Sequence, residues 1–128
     1  MKLLLDTHAT LWFMLGDKQL PERIRNSIAN PLNDVYASAV CALEIATKYR
    51  IGKLPDAAEL AQNFVEIVMA QGFLGLPISL EHARMAGGLI HRHRDPSDRL
   101  LIAQALIDDA YLVSNEVLFD EFGVKRMW

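Results

Sequence analysis

Residues 2–6 read KLLLD, with three leucines in succession and no polar residue between them. A strand covered on one face alternates apolar and polar side chains, so a run that is apolar at every position has to be buried on both faces. Such a strand belongs inside a parallel sheet, and parallel neighbours are joined by crossovers, usually helices. The rest of the chain must therefore supply further strands with helices between them.

It does so in order. Helical patterns cover TLWFML and, from Pro21, PERIRNSIAN; DVYAS (34–38) is the second strand. Ser38 can cap a helix from about Val40 to Arg50, and Gly52 and Pro55 punctuate its end. Leu60, Phe64, Ile67 and Val68 repeat at helical spacing within 56–72, a segment that Gly72 stops. FLGLPIS reads as a third strand, and Ser79 caps a helix over LEHARMAGGLI. A last helix from Pro96 to about Asp109 precedes strands AYLVSN (110–115) and GVKRMW (123–128). The expectation is a three-layer α/β/α sandwich on a parallel sheet of four to five strands, a single domain over 1–128.

With 128 residues and 52% apolar content the chain can bury a real core. A net charge of −3 argues against a general polyanion binder, although a local basic patch is compatible with it. The one cysteine, Cys41, cannot form an internal disulfide and fits a reducing compartment. The apolar start is broken at Asp6 and His8, too early for a signal peptide, and no run approaches the ~18 residues of a membrane span. A cytoplasmic protein without a membrane partner is expected.

In an open parallel sheet the site lies beyond the carboxyl ends of the strands, where strand order reverses. Asp6 ends the first strand, and Ser114, Asn115 and Glu116 end the fourth. In the order 3-2-1-4-5, Asp6 and Glu116 would face each other. Glu44 is the lone acid of SAVCALEIATKYR, and Asp95 and Asp98 open the last helix within HRHRDPSDRLLIAQA. Each acid has a structural alternative. Asp6 can cap the following helix, Glu44 can pair with Lys48 at i+4, and Asp95 can be an N-cap with Asp98 completing a capping box. Asp6, Glu44, Asp98 and Glu116 in one cleft would repel one another without a cation, and a hard oxygen donor set points to Mg²⁺, with Mn²⁺ possible, rather than zinc. Such a site suits phosphodiester hydrolysis.

LLLDTHATLWFML, Glu44 after YASAV, HRDPSDRLLIAQA and LVSNEVLFDEFGVKRMW together resemble a PIN-domain ribonuclease, specifically a VapC-like toxin of a type II toxin-antitoxin pair. The resemblance spans the chain and implies the α/β/α fold. It makes Asp6, Glu44 and Asp98 the core catalytic, metal-binding acids. Family members usually carry Thr-x-Asp after the fourth strand, where this chain has Ser114, Asn115 and Glu116; Glu116 is the fourth acid, with Asn115 an alternative ligand. Endonucleolytic RNA cleavage by a metal-activated water is implied, with a cognate antitoxin and a homodimer as partners.

Arg92, Arg94, Arg99, Ser114 and Asn115 are the expected substrate contacts, and Asp95 a helix cap or support for Asp98. His91 and His93 are expected to be exposed loop residues, while His8 can touch substrate or serve packing. Trp12 to Leu15 cannot all face one core, so part of this segment is an interface candidate or lies under the next helix. A receiver domain would need an acidic pair after the first strand, and a haloacid-type phosphatase Asp-x-Asp; the chain reads Asp6, Thr7, His8. The remaining rival is a catalytically weak PIN-type module that binds RNA or a partner.

Overall fold

The computed structural model describes residues 1–128. Five strands form one sheet in the order β3-β2-β1-β4-β5, with every neighbouring pair parallel. The strands are β1 (Lys2–Leu5), β2 (Asp34–Ser38), β3 (Leu74–Leu76), β4 (Tyr111–Val113) and β5 (Arg126–Met127). The helices are α1 (Thr7–Leu15), α2 (Glu22–Ala29), α3 (Ala39–Arg50), α4 (Ala58–Gln62), α5 (Phe64–Ala70), α6 (Leu80–Gly88) and α7 (Pro96–Ile107).

Strand β1 lies at the centre, and Leu3, Leu4 and Leu5 are all fully buried, as a continuous apolar run requires. Side-chain alternation divides them between two cores. Leu3 and Leu5 join Ala9 of α1, Ile24 and Ile28 of α2 and Val68 of α5, whereas Leu4 joins Val40 of α3 and Leu101 and Ile102 of α7. The three-layer α/β/α sandwich on a parallel sheet follows from that division.

The segment 56–72, expected as one helix, is three pieces: a 3-10 turn at Pro55–Ala57, then α4 and α5. The break falls at Asn63, whose backbone (φ −126°, ψ 36°) leaves the helical region. The bend lets Leu60 pack with Leu11 and Ile45 at one corner while Val68 reaches the sheet core. A second addition is a 3-10 helix at Val117–Phe122, which sets Phe119 into the core. The third strand shortens from FLGLPIS to three residues because it is an edge strand, paired only with β2.

Helix α1 accounts for Trp12 to Leu15 by serving two cores. Trp12 and Met14 pack against the sheet core and the corner cluster, Phe13 against Phe73, and Leu15 is exposed. Cys41 is fully buried, and its thiol is pushed up to about 12, chiefly by burial. Thiolate chemistry is thereby suppressed.

Gln104 of α7 is buried and fully engaged. Its Oε1 accepts from the Ser38 hydroxyl at 2.6 Å and its Nε2 donates to the Pro77 carbonyl at 3.2 Å, tying α7 to the exits of β2 and β3. Gln104→Leu is expected to lower unfolding free energy by about 1–3 kcal/mol, because the Pro77 carbonyl loses its donor. Urea denaturation checks this, and an unchanged midpoint would show the tie to be dispensable.

Candidate active site

Strand order reverses between β1 and β4, and their carboxyl ends open into a cleft of about 170 Å³. Asp6, Glu44, Asp95, Asp98 and Glu116 line it together with Thr7, His8, Lys48 and Asn115. A larger groove, about 390 Å³, lies at the opposite end of β2 and β3; Asp34 is its one ionisable residue, so it offers no converging chemistry.

Asp6 is the first residue past β1 and does two things. Its backbone N–H donates to the Val113 carbonyl at 3.1 Å, locking the β1 exit to β4, and its Oδ1 caps α1 by accepting from Ala9 N–H at 2.8 Å. The capping alternative is therefore real, but Asp6 also lines the cleft, nearly buried at 6% exposure. Burial pushes its carboxyl above the usual range; the Ser114 hydroxyl, Ala9 N–H and His8 oppose the shift, and Asp98 adds to it.

Glu44 enters from α3. The Thr7 hydroxyl donates to Oε1 at 2.6 Å, and Lys48 Nζ stands 3.3 Å from Oε2. The i+4 pair expected as the structural alternative is present, and it sits at the cleft rather than on an open helix face.

Asp95 is the N-cap of α7, accepting from Ser97 N–H at 2.9 Å and Asp98 N–H at 3.3 Å. Asp98 does not complete a capping box. Its Oδ2 contacts His93 Nε2 at 2.8 Å, on the cleft side. Burial raises the Asp98 carboxyl above its ordinary value; His93 opposes this, and Asp95 and Glu44 reinforce it. Asn115 and Glu116 are exposed at the rim of the cleft.

Two expectations are corrected, and a third residue has partners the sequence did not suggest. Arg99 shares the basic concavity of Arg92 and Arg94, but its guanidinium donates to the carbonyls of Ala86 (2.7 Å), His91 (3.1 Å), His93 (2.8 Å) and Leu89, holding the loop before α7. Ser114 is fully buried and out of reach of a substrate; its Oγ accepts from Glu116 N–H at 3.0 Å beneath Asp6. His91 and His93 are half-buried, not exposed: His91 packs on Phe122 at 4.3 Å and contacts Glu121, and His93 holds Asp98. Arg92 and Arg94 are exposed on a basic concavity shared with these histidines.

Sequence reasoning missed Thr7 and Arg126. Arg126 of β5 grips Asp120 through two hydrogen bonds of 2.8 and 3.1 Å and donates to the Ser114 carbonyl at 3.0 Å, fixing the β4 exit. No spacing rule links residues 114, 120 and 126; only the pairing of β5 with β4 does. Thr7 was findable, since a hydroxyl next to a strand-end acid at a helix start faces the same opening.

The donors are oxygen atoms of carboxylates, which suit a hard divalent cation. As they stand, no three acidic, histidine or cysteine side chains are gathered into a ready cage, because Glu44 is held by Thr7 and Lys48, and Asp98 by His93. The fit is one of donor chemistry and shared cleft. Burial, with a smaller contribution from the neighbouring acids, holds the Asp6 and Asp98 carboxyls above their ordinary values.

Several solved structures share this fold. VapBC2 from Rickettsia felis, bound to a DNA fragment from its promoter, superposes with a TM-score of 0.71 at 16% identity, covering 95% of this chain and 93% of that one. VapBC-1 from nontypeable Haemophilus influenzae gives 0.70 at 16% identity, covering 100% and 96%. FitAB bound to the IR36 DNA fragment gives 0.67 at 17% identity, covering 98% and 93%. No curated protein matches the sequence at a significant level. The PIN domain family matches residues 3–125, which take in strands β1 to β4 except Lys2 and every cleft-lining residue, and the chain belongs to that family.

Proposed function

We propose that this chain is a divalent-metal-dependent endoribonuclease acting as the toxin of a type II toxin-antitoxin pair, with 1–128 as one PIN domain. The observation that carries the proposal is the convergence of Asp6, Glu44, Asp98 and Glu116, from four separate elements, on one cleft at the sheet's switch point. These four hold the cation, Mg²⁺ or Mn²⁺. When bound, it supplies charge neutralisation at the phosphate and a lowered pKa for the attacking water.

The chain's own residues do the rest. Ser114 and the start of α1 fix Asp6, Thr7 and Lys48 orient the Glu44 carboxylate, and His93 orients Asp98. Arg92 and Arg94 hold flanking phosphates, and Asn115 contacts substrate at the rim. Phosphate contacts position a strand without reading its sequence. The likeness to VapBC and FitAB structures supports a cognate antitoxin as partner. A homodimer as the working assembly and the cytoplasm as its place complete this reading. No helix is long and apolar enough to cross a membrane.

Two observations favour a second reading, a PIN-type module that binds RNA or a partner with little cleavage. Glu116 stands where the family usually has aspartate, and the acids are not gathered into a cage. Cleavage of structured RNA by purified protein in Mg²⁺, abolished by excess chelator, separates the two; binding without cleavage selects the module.

Metal addition also has a readout independent of turnover. Ligands that bind only the folded state raise stability as RT ln(1 + [L]/Kd), about 2.7 kcal/mol at a hundredfold excess over Kd. The metal-free protein is expected to melt several degrees higher once Mg²⁺ or Mn²⁺ is added, increasing with concentration. A flat Tm across a millimolar titration would overturn the carboxylate metal site.

A further inference from the structure

Helix α1 carries an aromatic row away from the cleft that the acidic cluster does not use. His8 and Trp12, four residues apart on one helix face, stack with ring centroids 5.2 Å apart and planes 15° from parallel. Trp128 packs obliquely on Trp12, centroids 6.0 Å apart. Trp12 is anchored in two apolar clusters, while His8 is exposed and lines the cleft with Asp6 and Asn115. Of the four histidines, His82, His91 and His93 each contact a carboxylate; His8 packs on a ring instead.

A flat ring held against a second ring is already ordered, so little side-chain entropy is lost when something lies on it. The cleft sets five carboxylates against Lys48 alone, and without a cation that excess of acid opposes a phosphate backbone. A strand held there gains from an attraction that does not depend on charge, and base stacking on an aromatic face is one.

Resting on the nuclease reading, we propose that His8, backed by Trp12, is the stacking platform for an unpaired base beside the phosphate that is cut. An unpaired base presents a free face to such a ring, whereas the base faces of a continuous duplex are occupied by their own neighbours.

The chain has two tryptophans and both stand in this row, so intrinsic fluorescence reports on it directly. A mixed-sequence single-stranded RNA, titrated into protein with chelator present, is expected to bind and quench, and its fully paired duplex to do neither. His8→Ala should weaken single-strand binding about tenfold, and His8→Phe should restore it to within about twofold because the flat ring returns. An abasic nucleotide walked along the strand should weaken wild-type binding at one position and leave His8→Ala unaffected there. Matching melting curves for the variants confirm that His8→Ala has not disturbed the fold.

Equal binding by His8→Ala and wild type, or equal binding and quenching by the duplex, overturns the platform. Cleavage in Mg²⁺ that is insensitive to His8→Ala does so too and leaves the nuclease standing. Single-strand binding that depends on His8, with no cleavage in Mg²⁺, overturns the nuclease and leaves the platform.

Discussion

Asp98→Asn is expected to lower Mg²⁺-dependent RNA cleavage by about 100-fold or more, equivalent to about 3 kcal/mol of transition-state stabilisation, while Asp95→Asn leaves the rate near wild type. The two carboxylates are three residues apart at the same helix start, yet they face different partners. Asp95 is exposed and spends Oδ1 on the first N–H groups of α7, a task that asparagine performs equally well; Asp95→Ala instead costs about 1 kcal/mol of stability. Asp98 is half-buried in the cleft, and asparagine there keeps a contact to His93 but loses the charge that faces a dication.

The pH dependence separates the two further. Burial holds the Asp98 carboxyl above its unfolded value, so the folded state binds that proton more tightly than the unfolded chain. At this group, stability is greatest when the pH is low and declines as pH rises toward and through the folded pKa. In chelator, wild type should therefore lose stability relative to Asp98→Asn between acid and neutral pH, and Mg²⁺ should remove the difference. Cleavage rates for both asparagine variants, with melting curves across pH, check the pair. If Asp95→Asn abolishes cleavage and Asp98→Asn does not, the roles are reversed.

Arg99→Leu should destabilise the protein by about 3 kcal/mol, more than any exposed arginine would, because it strands several partly buried carbonyls at once. The guanidinium joins Ala86 and Leu89 at the end of α6 to His91 and His93 in the loop before α7. Arg99→Lys should fail to rescue, since a single ammonium cannot satisfy carbonyls spread across a planar fork. Hydrogen exchange in residues 89–94 should accelerate in both variants, and cleavage should fall because His93 no longer steadies Asp98. Full stability in Arg99→Lys, with weaker RNA binding, would return Arg99 to the phosphate-contacting role its basic surroundings suggest.

Residue pattern alone carried the architecture and the acids. Three consecutive leucines demanded a strand buried on both faces, the helical periods between strand-like runs demanded parallel crossovers, and together these placed Asp6 and Glu116 at one edge. Both inferences depend on local periodicity, which is written in neighbouring residues. The kink at Asn63 was not legible, because it answers to two separate apolar clusters that Leu60 and Val68 must reach at once. Nor was the fate of the arginines: Arg92, Arg94 and Arg99 share one basic stretch, and only the fold of the end of α6 and the loop after it turns four carbonyls toward one of them. Side-chain identity and spacing thus determined which groups reach the cleft. Which of them remain free to act there was decided by the tertiary structure, because a long polar side chain takes whichever partners the folded backbone brings within its reach.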